Sequence, residues 1–314
     1  MKYGFGVDLG GTTVKIAYFD QEGTLLEKWE IPTVTEEDGS RILPDIASSI
    51  LGYLAAKNIS NEDIIGVGIG VPGPVDKNGV VNKCINLGWG RFNVEQTLSD
   101  LTGFPVKAGN DATVAALGEC WKGGGAGYEN IIFVTLGTGV GGGIIVDGKP
   151  VHGTRGAGGE IGHIVLNKQE SVPCSCGKYG CVEQYCSATG IVRTAKRVLS
   201  LDLRESVLRD AEELTCKDIF DAGKAGDPVA CVILDEVYEQ LAEFVGDICC
   251  VLDPEAVVIG GGVSKAGQVL LDGIRSRLHK YVFHAIRPVE LKLAALGNDA
   301  GAYGAFKLIL DAAN

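Results

Sequence analysis

The sequence predicts an α/β protein of two lobes with a cleft between them, for three reasons. The chain has 314 residues, just above the size at which one hydrophobic core stops growing. Short apolar runs typical of strands alternate with stretches of helical spacing. Asp8–Thr13 and Thr135–Val140 share one layout, in which a strand, a turn of small residues and a second strand follow each other. This repeat predicts two related lobes, over 1–120 and 121–298.

The first lobe begins with three predicted strands, Tyr3 to Asp8, Val14 to Phe19 and Leu25 to Ile31. Because Gly-Gly-Thr-Thr and Asp-Gln-Glu-Gly separate them, they form an antiparallel meander. The elements predicted next are, in order, a helix over Ile42 to Leu54, a strand over Ile64 to Val71, a helix between Asn93 and Gly103, a strand over Val106 to Gly109 and a helix over Asp111 to Cys120.

The second lobe repeats the beginning of the first and then becomes helical. Its predicted elements are strands over Ile131 to Leu136 and Gly143 to Asp147, a polar loop over Gly153 to Gly162, helices from Ser187 to Leu252, a buried strand over Ala256 to Ile259 and a further helix. An amphipathic helix over 299–314 is expected to pack back on the first lobe. Otherwise Phe306, Leu308 and Ile309 would be exposed.

Composition excludes several classes of partner. The 28 basic and 40 acidic residues give a formal net charge of -12, the wrong sign for binding a nucleic acid backbone. The longest apolar stretch, Ile131 to Val146, is broken by glycines and too short to span a membrane, and the first residues lack a signal peptide pattern. We therefore expect a cytoplasmic protein that binds neither nucleic acid nor membrane.

Two glycine-rich turns are predicted to hold phosphate. In the first, a strand ends at Asp8, and the backbone amides and hydroxyls that follow can face an anion without an intervening Cβ. Asp8 is a candidate ligand, directly or through water, for the Mg²⁺ that accompanies a nucleotide. A plain hairpin turn would explain these glycines equally well, but Gly137 to Gly143 contains five glycines in seven residues, more than a hairpin needs. Gly260 to Gly262, after a strand, suits close approach to an adenosine. The residues of the first turn are Asp8, Gly10, Gly11, Thr12, Thr13 and Lys15.

Asn110 and Asp111 lie between a predicted strand and a predicted helix. An aspartate at such a position is commonly a helix N-cap. The alternative is a general base that accepts the proton of a hydroxyl nucleophile, as phosphoryl transfer to an alcohol requires. The two roles exclude each other only in part.

Cysteine spacing predicts a metal site. Of ten cysteines, Cys174, Cys176 and Cys181 are crowded together and follow His163. Three thiolates and one imidazole make the closed shell of a structural zinc ion, which leaves no position for a catalytic water. The same fold of the chain would bring two carboxylates, which suit sugar hydroxyls, close to the ligands; solvated loop glutamates are the alternative. These carboxylates belong to Glu160 and Glu183.

Taken together, these motifs resemble the ROK family (repressors, open reading frames and kinases), and within it the bacterial glucokinases. The resemblance runs nearly end to end and is carried by Asp8-Leu-Gly-Gly-Thr, Val71-Pro-Gly-Pro, Gly109-Asn-Asp-Ala, Leu136-Gly-Thr-Gly-Val-Gly-Gly-Gly, Gly159-Glu-Ile-Gly-His, the cysteine motif ending in Glu183 and Gly260-Gly-Gly-Val. It implies an actin-like ATPase (ribonuclease H-like) fold that closes over a sugar and ATP, in a homodimer or homotetramer.

The resemblance also implies roles for individual residues. Asp111 is the base that activates the 6-hydroxyl of the sugar, and His163 serves both zinc and sugar. The implied sugar ligands are Gly73, Asn110, Asp111, Glu160, His163 and Glu183. The implied nucleotide ligands are Gly10 to Thr13, Thr138 and Gly139 at the phosphates and Gly261 and Gly262 near the adenosine.

The sequence leaves alternatives for the sugar that is bound and for the phosphoryl donor. Val71-Pro-Gly-Pro and Asn86-Leu-Gly-Trp89 favour glucose, but fructose, mannose, allose or N-acetylmannosamine differ by groups worth only about 1–3 kcal/mol. A non-catalytic sugar-responsive regulator is a further alternative. It is disfavoured because family repressors carry a helix-turn-helix domain ahead of this body, whereas the first strand here begins at Tyr3. No extended basic groove favours polyphosphate over ATP.

Overall fold

Two five-stranded sheets organise the computed structural model, which describes residues 1–313. The strands are β1 (Tyr3–Leu9), β2 (Thr13–Asp20), β3 (Leu25–Pro32), β4 (Ile64–Val71), β5 (Val80–Val81), β6 (Phe92–Asn93), β7 (Val106–Asn110), β8 (Ile131–Leu136), β9 (Val140–Val146), β10 (Lys149–Pro150), β11 (Ala256–Gly260) and β12 (Glu290–Leu293). The helices are α1 (Glu36–Gly39), α2 (Ile42–Lys57), α3 (Val94–Thr102), α4 (Asp111–Lys122), α5 (Glu183–Cys186), α6 (Ala188–Leu201), α7 (Cys216–Lys224), α8 (Pro228–Leu252), α9 (Gln268–Leu278) and α10 (Ala300–Ala313).

The first sheet has the strand order β3-β2-β1-β4-β7. Strands β1, β2 and β3 form the predicted antiparallel meander, and β4 and β7 run parallel to their neighbours. In the register, Asp8 lies opposite Gly70, and Val71 lies opposite Asn110. The carboxyl ends of three strands therefore meet at one edge, which is where parallel sheets bind ligands.

The second sheet has the order β10-β9-β8-β11-β12, the same sequence of strand positions as the first. Strands β8, β11 and β12 are parallel. The strand predicted to begin at Gly143 begins at Val140, because glycines that suggested a turn are strand residues. At Gly143 a Cβ would lie 2.4 Å from the Cβ of Ala116 in α4, so this glycine permits close packing. Strand β12 was not predicted, since its Glu-Leu-Lys-Leu sequence is too short a signal.

The chain divides into two compact units. Unit 1 contains residues 1–129, 143–159 and those from Ala295 onward, and unit 2 contains 130–142 and 160–294. The sequence boundary near residue 120 differs from this division, because 143–159 associates with unit 1. Gly143 packs on α4, and a Cβ at Gly156 would lie 2.3 Å from the carbonyl oxygen of Val75. Residue 314, at the end of the expected terminal helix, lies outside the described residues.

Helix α10 packs on the first sheet and on α4 through glycines. A Cβ at Gly68 would lie 1.6 Å from the carbonyl oxygen of Ala305, and one at Gly304 would lie 1.6 Å from that of Val114. Backbone therefore touches backbone, and a larger residue at either glycine would push the helix away. Phe306 and Ile309 are buried there, whereas Leu308 is half-buried.

In unit 2 the long predicted helical stretch is divided into α6, α7 and α8 by a loop and a turn. Asp227 caps α8 by accepting hydrogen bonds from the backbone of Val229 and Ala230, and Pro228 takes the first helical position, where its missing N–H costs nothing. The apolar side chains of these helices and of the second sheet form one core. Within residues 1–313, no helix combines the length and apolar character needed to cross a membrane.

Candidate functional site

The first loop predicted to hold phosphate, here named the first phosphate loop, connects β1 and β2 in unit 1. The turn is closed by the Gly10 N–H, which donates to the Thr13 carbonyl at 3.0 Å, and the Thr33 hydroxyl donates to the Gly10 carbonyl at 2.8 Å. Among residues 1–313, and leaving aside the neighbours Gly10 and Thr12, no atom lies within 4 Å of a Cβ built at Gly11. The backbone at this tip can therefore be approached closely by an anion.

Asp8 lies beneath this loop at the end of β1. A Cβ at Gly301 of α10 would lie 2.7 Å from its Cγ, and the Lys15 ammonium is 3.8 Å from its Oδ2. Burial raises the pKa of Asp8, Lys15 lowers it and Asp299 raises it further. A carboxylate oxygen beside an anion-facing loop is the ligand type that Mg²⁺ prefers, so the donor chemistry fits a nucleotide-bound magnesium.

Of the two roles that the sequence left open for Asp111, that of the helix N-cap is taken by Asn110. Asn110 is the N-cap of α4: its Oδ1 accepts from the Thr113 N–H at 3.2 Å, and its Nδ2 donates to the Gly73 carbonyl at 3.3 Å. Asp111 is the first helical residue and is partly exposed. Because Asn110 satisfies the helix end, Asp111 is not required as its cap.

The segment 143–159 completes this part of unit 1. The Asn82 side-chain amide donates to the Arg155 carbonyl at 3.4 Å, and Gly156 packs on Val75. His152 lies beside Gly109, and burial lowers its pKa whereas Glu95 raises it. Neither His152 nor Arg155 was among the predicted site residues, since no local pattern relates them to Asn110.

The second loop predicted to hold phosphate, here named the second phosphate loop, lies between β8 and β9 in unit 2. Residues at the start of α6 hold it by hydrogen bonds. The Ala188 N–H donates to the Gly137 carbonyl at 2.8 Å, and the Thr189 hydroxyl donates to the Thr138 carbonyl at 2.8 Å. Thr138 and Gly139 line an open cavity of about 480 Å³ together with Glu183. A ligand in this cavity of unit 2 could therefore reach the loop.

Glu183 links this loop to the cysteine motif. Its Oε2 accepts from the Val140 N–H at 3.2 Å, and its Oε1 lies 3.3 Å from the Ser175 hydroxyl and 3.7 Å from the Cys174 thiol. The carboxylate is thus fixed, whereas Glu160 is exposed, with its Oε2 4.0 Å from Nε2 of His163.

The predicted metal ligands converge. One donor atom from each of His163, Cys174, Cys176 and Cys181 lies within 4.8 Å of the others. The Cys176 and Cys181 sulfurs are 3.7 Å apart, and Nδ1 of His163 is 3.7 Å from the Cys174 sulfur. Tetrahedral ligands about 2.3 Å from a zinc ion stand roughly 3.8 Å apart. The donor set and its spacing therefore fit zinc, with Nε2 of His163 directed towards Glu160.

A partly buried ion pair supports the cysteine motif. Glu170 accepts hydrogen bonds at 2.6 Å from both the Tyr185 hydroxyl and the Arg193 guanidinium, whose carbon is 4.9 Å from the centre of the Tyr185 ring. The Tyr185 hydroxyl, the backbone N–H of Val172 and Arg193 together lower the pKa of Glu170 to about 2. The loop that carries the metal ligands is therefore tied to α6.

Gly262, which follows β11, borders a cavity of about 390 Å³ in unit 2, within the usual range for small-molecule sites. Gly261 has φ +82°, and a Cβ there would lie 2.5 Å from the Leu136 carbonyl oxygen; Gly262 has open space at its Cβ position. The cavity walls include Phe220 and Lys224 of α7. Sequence reasoning missed both, because α7 has an ordinary amphipathic pattern.

The model of the ROK family matches residues 4–312. A glucokinase from Halalkalibacterium halodurans is 41% identical over 304 residues, which cover 95% of this chain and 92% of that protein. A glucokinase from Thermotoga maritima is 35% identical over 310 residues, with 97% and 96% covered. The crystal structure of a ROK family glucokinase from Streptomyces griseus, in complex with glucose and AMPPNP, matches with a TM-score of 0.75 and 33% identity over 98% of both chains. The two-sheet α/β class predicted from the sequence is thereby confirmed as the actin-like fold of these proteins, and the chain belongs to the ROK family.

Proposed function

We propose that the protein is an ATP-dependent sugar kinase that phosphorylates glucose at its 6-hydroxyl. The observation that carries the proposal is the pair Asn110 and Asp111 at the end of β7. Asn110 caps α4, and Asp111 follows it as a partly exposed carboxylate at the ligand-binding edge of a sheet. This is the group that a hydroxyl nucleophile needs and that a purely sugar-responsive regulator does not.

In the proposed reaction Asp111 accepts the proton of the 6-hydroxyl. The oxygen of that hydroxyl forms a bond to the γ-phosphorus of ATP, and the bond from that phosphorus to the β–γ bridging oxygen breaks. ADP leaves with the electron pair of the broken bond. The products are glucose 6-phosphate and ADP, and the proton on Asp111 passes to solvent.

Sugar hydroxyls both donate and accept hydrogen bonds, so the remaining site residues should offer both possibilities. In unit 1 we assign Asn110 and the Gly73 turn to the sugar, and in unit 2 we assign Glu160, His163 and Glu183. His163 would use Nδ1 for zinc and leave Nε2 for the sugar. A bound zinc ion would supply structural order to these side chains, and its ligands would be His163 and the three cysteines.

ATP would be held by both phosphate loops. In unit 1 we assign the phosphates to Gly10–Thr13 and Lys15, with Asp8 as the residue near Mg²⁺, which would offset phosphate charge. In unit 2 we assign Thr138 and Gly139 to the phosphates, and we assign Gly261, Gly262 and the cavity that Gly262 borders to the adenosine. The three lysines on that cavity, Lys217, Lys224 and Lys265, place positive charge there.

Glucose is proposed over other hexoses because the chain is similar to two glucokinases over nearly its full length. The matched structure from Streptomyces griseus holds glucose and AMPPNP, which supports the same pair of ligands here.

The test is an ADP-release assay with MgATP and a panel of hexoses and N-acetylhexosamines. We expect glucose to be preferred and Asp111→Asn to lower kcat by about 10²–10⁴-fold. The control is Asp100→Asn, which changes an exposed aspartate that bonds Gln96, and it should retain wild-type activity. Preference for another sugar would correct the substrate. Near wild-type turnover by Asp111→Asn would disprove the assigned base, and no turnover with any sugar would favour the regulator.

A further inference from the structure

The turn that carries Gly73 follows β4 and has the sequence Val71-Pro72-Gly73-Pro74. The Gly73 N–H donates to the Val71 carbonyl at 2.8 Å inside the turn. Its two prolines have no N–H. Pro72, Gly73 and Pro74 therefore offer only their carbonyl oxygens to hydrogen-bond donors elsewhere in the protein.

Each of three successive carbonyls accepts one hydrogen bond from outside the turn. These are Pro72 O from Sγ of Cys84 at 2.7 Å, Gly73 O from Nδ2 of Asn110 at 3.3 Å and Pro74 O from the backbone N of Asn82 at 3.3 Å. Two of the three donors are side chains. One of them, Asn110, is an assigned sugar ligand; the other, Cys84, has no assigned role.

Cys84 is itself held firmly. Its backbone N–H and carbonyl both bond to Trp89, at 3.0 Å each, and the Trp89 indole donates to the Gly39 carbonyl at 3.1 Å. The cysteine is 1% exposed, and a Cβ at Gly73 would lie 3.3 Å from its Cβ. The turn therefore rests directly on a residue that has little freedom to move.

The thiol of Cys84 is a hydrogen-bond donor at neutral pH. Burial raises its pKa, and the negative charge of Asp111 raises it further, against the opposing effect of the backbone amides of Asn86 and Leu87.

We propose that Cys84 is a positioning residue for the sugar substrate. Its thiol fixes the Pro72 carbonyl, which sets the neighbouring Gly73 carbonyl against the Asn110 amide and so orients Asn110 beside Asp111. This inference rests on the proposed kinase function. It assigns Cys84 to sugar binding and to no part of nucleotide binding.

The experiment compares Cys84→Ala and Cys84→Ser with wild type. One hydrogen bond contributes about 0.5–1.5 kcal/mol, so we expect Cys84→Ala to raise KM for glucose by about 3–10-fold and to leave KM for ATP within about 2-fold. Cys84→Ser keeps a donor and should bring KM for glucose back to within about 2-fold of wild type. Thermal unfolding of each variant measures any general loss of stability.

The matched control is Cys120→Ala. Cys120 is also buried in unit 1, and its thiol lies 3.3 Å from the Tyr128 carbonyl, towards the opposite end of α4 from Asp111. It should lower stability as Cys84→Ala does and leave KM for glucose unchanged. Equal KM values for Cys84→Ala and wild type, equal increases in both alanine variants, or no rescue by serine would each overturn the positioning role.

A failure of the proposed function is distinguishable from a failure of this inference. If wild type phosphorylates no sugar in the panel, the kinase proposal fails. The positioning role of Cys84 is then tested by measuring sugar binding to each variant by calorimetry. Binding that weakens in Cys84→Ala and is retained in Cys120→Ala would support positioning. Binding that is unchanged, or absent already in wild type, would overturn it.

Discussion

Glu183 lies where the second phosphate loop and the cysteine motif of unit 2 meet. One carboxylate oxygen accepts from the Val140 N–H at 3.2 Å, and the other lies 3.3 Å from the Ser175 hydroxyl. A Cβ at Gly139 would lie only 2.1 Å from the first of these oxygens. The backbone of Gly139 is not in the left-handed region. Glycine is therefore needed at 139 because of this close approach and not because of its backbone conformation.

We predict that Gly139→Ala weakens sugar binding by about 10-fold, since the added methyl group must displace the Glu183 carboxylate by more than an ångström. Calorimetry with glucose in the absence of nucleotide measures this effect. The control in the same loop is Gly137→Ala, where the Cβ position is open, and it should bind glucose as wild type does. Wild-type affinity in Gly139→Ala would show that the position of Glu183 is not needed for sugar binding.

At the scale of the element, the cysteine motif depends on backbone hydrogen bonds within its own turns as well as on its ligands. The backbone N–H of Cys174 donates to the Lys178 carbonyl at 2.7 Å, and that of Leu166 donates to the Gly180 carbonyl at 2.7 Å. Gly177 and Gly180 have φ values of 84° and 74°, which favour glycine. These turns bring the cysteines together, and a bound metal would hold them there.

We predict that removing the metal weakens sugar binding more than nucleotide binding, because His163 and Glu183 are the assigned sugar ligands that contact the motif. Chelated and zinc-reconstituted protein should be titrated separately with glucose and with AMPPNP, and metal content should be measured on each sample. Cys176→Ser should behave like chelated protein, whereas Cys231→Ser, an exposed cysteine outside the motif, should not. An equal loss of affinity for glucose and AMPPNP, or no loss for either, would show that the metal does not specifically support sugar binding.

At the scale of the whole molecule, the chain returns to unit 1 at Ala295, and a buried carboxylate fixes that return. Glu119 of α4 is fully buried and accepts hydrogen bonds from the backbone of Gly124, Ala295 and Leu296 at 2.7–2.9 Å. Helix α10 follows directly and covers the first sheet. Glu119 therefore joins the final segment to a helix more than 170 residues earlier in the chain.

We predict that Glu119→Gln lowers the melting temperature by about 5–10 °C. The amide NH₂ group would face backbone N–H donors and leave buried groups unpaired. Differential scanning calorimetry measures the change, with Glu36→Gln, at an exposed glutamate of the same unit, as the control. A melting temperature within about 1 °C of wild type would show that these hydrogen bonds do not stabilise the return of the chain.

Local patterns of the sequence determined the fold class and most of the elements. Asn93 caps the start of α3 and Gly103 its end, as predicted. Both signals could be found in the sequence because N-capping and the left-handed glycine act within a few residues. The spacing of Cys174, Cys176 and Cys181 was enough to predict a metal motif, and the repeated strand and glycine pattern was the basis for predicting two related α/β lobes. The roles assigned to Asp111 and the sugar ligands stay predictions.

Only the tertiary structure decided which residues meet across long stretches of chain. It made Asn110 the cap of α4, assigned 143–159 to unit 1 and brought Glu183 to the Val140 amide. It also showed that Cys84 holds the Pro72 carbonyl. Sequence patterns report what the backbone does over a few residues, whereas these contacts depend on how strands pair and helices pack, which no single local pattern contains.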